Sequence, residues 1–486
     1  MVEAILTRRG RYARFRPVRR IGAERLRVLE RITREDHTMT DQPDRSLGSD
    51  RLDVLMLYDP WWLHTSAVRD YLESFALHSC HRFRYAVGTQ YAPCRIDLSR
   101  FDVVLLHYSI RSCIPDCLSP AFARALRAYR GVKGLFIQDD FDATNSTKQF
   151  IRDLGIRVVF TCMPEPAIPA VYGDLLGAGV RFINVLTGYV PDRLKCAAFA
   201  RPMGARQIWI GYRGRVNPLW YGRLGREKLE IGQRMREVCR ARNIPHDIEW
   251  TEDRRIYGDA WYSFLGDCRA TLGTESGSNL FDWDGQVRAA VEAQLRKRPA
   301  TTFDEVYDAW LGKHDNEIAT NQISPRIFEA IATRTALILY EGRYSDILQP
   351  YVHYLPLRKD FANVDEVLAR LADVDFLESL TNRAFEEIVA SDRYSYRVLV
   401  RLVDEELRAE VTSGDNERRT RGETIDNADT AAWVARSGIQ MWPEEATNTE
   451  RRIRQAARRL LPRSVRPTIK IALEYVWGRL PWSRLR

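Results

Sequence analysis

The stretch Asn321-Gln-Ile-Ser-Pro-Arg-Ile-Phe-Glu-Ala-Ile-Ala-Thr-Arg-Thr-Ala-Leu-Ile-Leu-Tyr340 decides how the chain is read. Ser324 followed by Pro325 marks a helix start, because a short hydroxyl side chain suits the cap and the fixed φ of proline suits the first turn. Ile327, Phe328, Ala330 and Ile331 give that helix an apolar face, and Thr335 to Tyr340 reads as a buried strand. A helix start gathers unpaired N–H groups and partial positive charge, which favour a bound phosphate. Glu329 lies little more than a turn further on, within reach of the hydroxyls of a pentose attached to that phosphate. The pattern is that of a nucleotide-sugar site.

Working outward, the same alternation of short apolar runs and amphipathic segments recurs on both sides. Strands are expected at 52–58, 83–87, 103–107, 134–138, 158–162 and 182–186, with helices at 66–78, 121–130 and 147–154. A second series starts at Gln207-Ile-Trp-Ile-Gly-Tyr212, with a helix at 226–242 and strands near 248–251 and 269–272. A charged helical insertion at about 286–320 precedes the Ser324 helix, and after the 353–357 strand a helical run extends from Val364 to about Arg408. Short apolar strands separated by helices imply parallel sheets covered on both faces. The fold class expected is α/β, with two Rossmann-like domains facing a cleft; ligands in such sheets bind beyond the carboxyl ends of the strands.

The run Ser324-Pro-Arg-Ile-Phe-Glu-Ala-Ile-Ala332 with its strand resembles the donor-binding segment of GT-B glycosyltransferases, especially the bacterial family 1/family 4-like enzymes of surface polysaccharide synthesis. Tyr340-Glu-Gly-Arg-Tyr-Ser-Asp-Ile-Leu348 and the stretch from His353 to Asn363 continue the likeness, which spans about residues 50 to 405. Two positions depart from it. Asn321 stands where the family often has a second glutamate, and Arg334 stands where a glycine usually follows the Glu-Ala-x-Ala run. The resemblance implies an N-terminal acceptor domain at 51–200 and a C-terminal donor domain at 201–410. It also implies metal-independent transfer from a nucleotide-diphosphate sugar acting as co-substrate, with no further cofactor. A nucleotide-sugar 2-epimerase and a nonenzymatic GT-B-like binding protein share this fold and are the alternatives.

Sugar transfer needs the leaving diphosphate neutralised, the developing positive charge on the sugar stabilised, and the acceptor hydroxyl oriented. For the diphosphate the candidates are Gly211, Arg213 and Arg215, and Gly273, Ser276 and Gly277, in two loops that follow strands; glycine lets backbone N–H groups approach an anion there. Ser324, Arg326 and Glu329 complete the donor set. On the acceptor side Trp61, Trp62 and Tyr108 offer aromatic faces for a sugar. His64, Asp139 and Asp140 are the candidate bases, with no choice among them. Asp282-Trp-Asp284 and Asp140-Phe-Asp142 have the spacing of a metal-binding pair, but two βα series argue against the fold that uses one, and no metal site is expected.

The chain has 486 residues and a net charge of +9, with 45% apolar and 29% charged residues, as in ordinary globular proteins. The excess charge sits at the ends. An Arg-rich leader covers 1–50, and a basic amphipathic tail with Trp477 and Trp482 covers 450–486, behind a polar linker at 411–449. Such a tail suits an anionic membrane surface. Nucleic acid is not expected, because no base-reading module is recognisable and the arginines cluster outside the domains. The eight cysteines form no CxxC pair, there is no apolar run of membrane-spanning length, and no secretory core precedes the domains. A cytoplasmic protein, peripheral at the inner membrane face, is the expectation.

Overall fold

Strands such as Asp53–Tyr58 and Val103–Leu106 are apolar along their whole length, so both of their faces must be covered. The computed structural model, which describes residues 51–89, 92–196, 198–413 and 437–440, satisfies this with two parallel sheets and helices on their faces. The first sheet holds β1 (Asp53–Tyr58), β2 (Arg82–Val87), β3 (Val103–Leu106), β4 (Val132–Ile137), β5 (Val158–Thr161) and β6 (Arg181–Asn184), in the order β2-β1-β3-β4-β5-β6. Met56 of β1 pairs with Tyr85 on one side and Leu105 on the other. Helices α1 (Ser66–His78), α2 (Pro120–Ala128), α3 (Thr144–Leu154) and α4 (Ile168–Gly177) connect these strands. In α1, Val68, Tyr71, Leu72 and Phe75 recur at helical spacing and are buried against the sheet.

The second sheet holds β7 (Ile208–Arg213), β8 (His246–Glu249), β9 (Cys268–Gly273), β10 (Ala336–Tyr340) and β11 (Leu355–Leu357), in the order β11-β10-β9-β7-β8. Its helices are α5 (Gly222–Ala241), α6 (Asp259–Asp267), α7 (Gln286–Lys297), α8 (Pro325–Ala332), α9 (Val364–Ala372) and α10 (Val374–Ala384). Counted within each sheet, the first five strands follow the same order, 2-1-3-4-5. That order puts a topological switch between the first and third strands, where loops diverge and leave a crevice.

Two helices, α4 and α6, fall outside the sequence expectation. Pro169, Gly173 and Gly177 obscure the helical pattern of α4, and α6 is short and opens from Gly258 at φ +64°. The helical run expected from Val364 also divides. It breaks at Asp373, which caps α10 by accepting from the Phe376 N–H at 3.0 Å, and again near Asp392 at φ +62°. The last piece, α11 (Tyr396–Ser413), lies on the N-terminal domain, not the C-terminal one. Its Leu399, Val400, Val403 and Leu407 are fully buried beside Tyr71 and Phe75, and Asp404 accepts from Ser79 Oγ at 2.7 Å and from the Cys80 N–H at 2.8 Å.

Residues 437–440, inside the expected linker, add an antiparallel bridge to β2: Tyr85 and Gln440 exchange backbone hydrogen bonds at 2.8 and 2.7 Å. The expected leader at 1–50 and tail at 450–486 lie outside the described residues. Among the described residues no helix is long and apolar enough to cross a membrane, and all eight cysteines are free.

Candidate active site in the cleft

The switch points of the two sheets open onto one cavity of about 420 Å³ between the domains. Trp62, Tyr108 and Arg111 reach it from the loops after β1 and β3, and Asp139 from the loop after β4. From the other domain come Arg215 after β7, Gly273 at the end of β9 with Ser276 and Gly277 beyond it, and Ser324, Pro325 and Arg326 at the start of α8. Lys228 of α5 and Trp261 of α6 complete that wall.

Arg215, Lys228 and Arg326 put three cations on this wall, and among the described residues none of them makes an ion pair. Lys228 Nζ donates to Ser276 Oγ at 2.9 Å. Loss of surrounding water, with Arg326 and Arg215 adding repulsion, lowers the lysine from its usual 10.5 to about 8. A tenfold change in an equilibrium is worth about 1.4 kcal/mol, so charging Lys228 here costs at most roughly 3–4 kcal/mol, less whatever the cavity water screens. An anion bound among the three groups would offset that cost. Arg326 donates to the Arg213 carbonyl and packs at 5.4 Å from the centre of the Trp261 ring, while its exposed surface faces the cavity.

The other predicted donor residues are placed differently. Gly211 and Arg213 do not line the cavity. Strand period puts both on the α6 face of β7, where a Cβ at Gly211 would come within 2.1 Å of Cys268 Sγ. Arg213 pairs with Asp247 at 2.7 Å and stacks 4.3 Å over Phe264, so it serves packing. The Ser276 N–H is committed to the Gln322 carbonyl at 2.7 Å, leaving its hydroxyl for the site. Gly273 and Gly277 do reach the cavity, the latter at φ +98° against the Thr320 carbonyl. Ser324 faces the cavity but makes no side-chain cap to α8, contrary to the cap read from sequence.

Glu329 also departs from the sequence expectation. It does not line the cavity but stands behind Trp261, accepting the indole Nε1–H at 2.7 Å, so this structure gives it no direct access to a sugar hydroxyl. Burial raises its carboxyl, against the opposing effects of the indole hydrogen bond and Arg326.

On the N-terminal side, Asp139 is partly exposed in the cavity and pairs with Arg111 at 3.2 Å. Asp140 is not at the surface. It is buried below, accepting from Thr161 Oγ1 at 2.9 Å and Tyr172 O–H at 2.7 Å, and burial raises it to about 6. Trp62 and Tyr108 line the cavity, whereas Trp61 and His64 do not. His64 Nδ1 bonds the Trp61 carbonyl at 2.8 Å, and its ring meets Tyr257 of the other domain at 5.4 Å.

The carboxylates of both Asp-x-Asp pairs are engaged. Asp282 accepts from the Val287 and Arg288 N–H groups at 3.1 and 2.9 Å, Asp284 from Asn145 at 2.8 Å, and Asp142 from Arg111 at 2.8 Å.

Lys228, Arg111 and Trp261 were missed by sequence reasoning. Lys228 did leave a signal: it interrupts the stripe Leu224, Ile231, Met235 and Cys239, a lysine where helix spacing expects an apolar residue.

No protein-family model matches the chain, and no curated protein matches it. Among solved structures the chain is similar to TarM, at 13% identity over 63% of this chain and 54% of that one, with a TM-score of 0.33. The chain thus spans about half the length of TarM. It is also similar to Anabaena HepE in complex with UDP (9% identity, 74% of this chain and 100% of that one, TM-score 0.41). An α-glucosyltransferase in complex with UDP and a 13-mer DNA gives 7% identity, the same coverages and a TM-score of 0.43. These are likenesses of fold, and the reading of the site rests on the residues described above. In its own topology the chain has two parallel-sheet α/β domains whose switch points share one cleft, as the sequence led us to expect.

Proposed function

We propose that the chain transfers a glycosyl group from a nucleoside-diphosphate sugar to a hydroxyl of an acceptor lodged against the N-terminal domain. One observation supports this reading: Arg215, Lys228 and Arg326 converge on the cavity beside the start of α8, and among the described residues none of them makes an ion pair. Such a wall suits two linked phosphates, because its cations are preorganised for the charge that grows on the leaving group. In the reaction a bond forms between the acceptor oxygen and the sugar carbon. The bond from that carbon to the phosphate oxygen breaks, and its electron pair leaves with the nucleoside diphosphate. The acceptor proton passes to a base, for which Asp139 is the candidate because it meets the cavity and Asp140 does not.

The acceptor is a cell-surface glycan, a lipid-linked sugar or a protein, with Trp62 and Tyr108 as faces for its rings. We assign the neutralisation of the diphosphate to side-chain cations, so transfer should persist in EDTA. The basic tail would hold the protein at an anionic membrane surface; vesicles should retain the full chain and release a chain lacking 450–486.

The full chain is titrated with a panel of nucleotide sugars and nucleoside diphosphates by calorimetry, followed by product analysis with and without acceptor. Binding of one donor and release of its nucleoside diphosphate are expected. A panel without any binder would overturn the reading, and conversion of the donor to its epimer without acceptor would replace it with an epimerase.

A further inference from the structure

Helix spacing sets Arg326 and Glu329 one turn apart on α8, yet the two side chains do not pair. The Trp261 indole is the neighbour they share. Its Nε1–H edge is held by Glu329 at 2.7 Å, and its face lies 5.4 Å from the Arg326 guanidinium carbon. Trp261 is itself only 8% exposed, stacks on Phe264 at 5.7 Å, and presents its open surface to the cavity. The guanidinium has five N–H donors, and the bond to the Arg213 carbonyl orients it while leaving donors for the cavity.

We propose that Glu329 and Trp261 are a positioning pair for Arg326: the carboxylate anchors the indole, the indole face supports the guanidinium, and the guanidinium meets the diphosphate. Glu329 then influences donor binding without touching the donor. An aromatic face attracts a cation, and anchoring the ring by its N–H removes the freedom that would otherwise blur the position of that cation. The inference rests on the diphosphate reading of the cleft and specifies how one wall of it works.

Inorganic pyrophosphate separates the possibilities, because it offers the phosphates without a pentose. Calorimetric titration of the full-length protein, Glu329→Ala, Glu329→Gln, Trp261→Phe and the double variant Trp261→Phe/Glu329→Ala is the test. Glu329→Ala should weaken pyrophosphate and the cognate nucleoside diphosphate equally, each by about tenfold, the worth of one anchored contact. Glu329→Gln should retain most of the affinity, since its amide oxygen still accepts the indole N–H. Trp261→Phe keeps a ring but loses the anchor, and the double variant should be no weaker than the poorer single one, because paired residues do not add. Circular dichroism melting of each variant separates lost anchoring from lost folding. Glu329→Ala binding pyrophosphate like the unmodified protein, while binding the nucleoside diphosphate poorly, would assign the carboxylate to the pentose and overturn the proposal. An additive double variant would also overturn it. Unmodified protein that binds neither ligand would instead remove the diphosphate reading itself.

Discussion

Lys228 Nζ stands 2.9 Å from Ser276 Oγ, a single bond that ties α5 to the loop after β9 at the edge of the cleft. The Ser276 amide is spent on Gln322, so the hydroxyl is the group that fixes the ammonium. The lysine is thereby held beside Arg326 and Arg215, whose repulsion outweighs the attraction of Asp139, and among the described residues it makes no ion pair.

A pH dependence follows from that crowding. The folded protein holds Lys228 at about 8 against a usual 10.5, so between those values the unfolded chain binds more protons and stability rises with pH. A bound diphosphate favours the charged lysine, so binding takes up a proton and affinity falls as pH climbs through about 8. Titrations in buffers of different ionisation enthalpy should detect that uptake. Lys228→Met should bind diphosphate more weakly, by about tenfold or more, with no uptake; a Met variant with the same pH profile as the unmodified protein would rule the assignment out.

Arg213 and Arg215 are two residues apart and should behave oppositely. Arg215→Ala should reduce diphosphate affinity by about tenfold while melting as the unmodified protein does, because its side chain is exposed in the cavity. Arg213→Ala leaves Asp247 unpaired and Phe264 uncovered, so it should lower stability by about 1–3 kcal/mol in urea titration and leave diphosphate affinity within about twofold. A reversed pattern would show that the strand face has been misread.

The neighbouring aspartates give a similar contrast. Asp139→Asn should lower transfer by about 100-fold or more with donor binding intact, the usual contribution of a positioned base. Asp140→Ala strands the Thr161 and Tyr172 hydroxyls, costing about 2–3 kcal/mol of stability, with turnover of the surviving folded fraction preserved. Rates normalised to folded protein, measured beside melting curves, distinguish the two roles.

Leu399 tests the return of the chain to its first domain. Leu399→Ala removes a fully buried side chain of α11 packed with the α1 and β4 cluster, and should destabilise by about 2–5 kcal/mol. Hydrogen exchange should locate the loosened amides in β1 and α1. Loosening confined to β7–β10 would contradict this packing.

Local period made most elements legible. The apolar runs at 53–58, 103–106 and 158–161 are continuous because both faces of a parallel strand are buried, and α1 matches its apolar spacing residue for residue. Elements whose local signals are weak, such as α4 with its two glycines, did not stand out. The cluster at Ser324-Pro-Arg326 was legible as a helix start, since a Ser-Pro pair ahead of an apolar stripe marks one, and the structure sets that start against the cavity.

What the sequence alone determined is therefore the ladder of strands and helices and the place of one helix start, because these follow from periodicity and chain stiffness over a few residues. Only the tertiary structure decided that Arg215 faces the cleft while Arg213 turns to Asp247, that Lys228 joins Arg326 across 98 residues of chain, and that Glu329 spends its carboxylate on Trp261. It also decided that α11 packs on the first domain. Each of these depends on which charges are left unpaired and which faces are left uncovered once distant segments meet, and no local pattern carries that information.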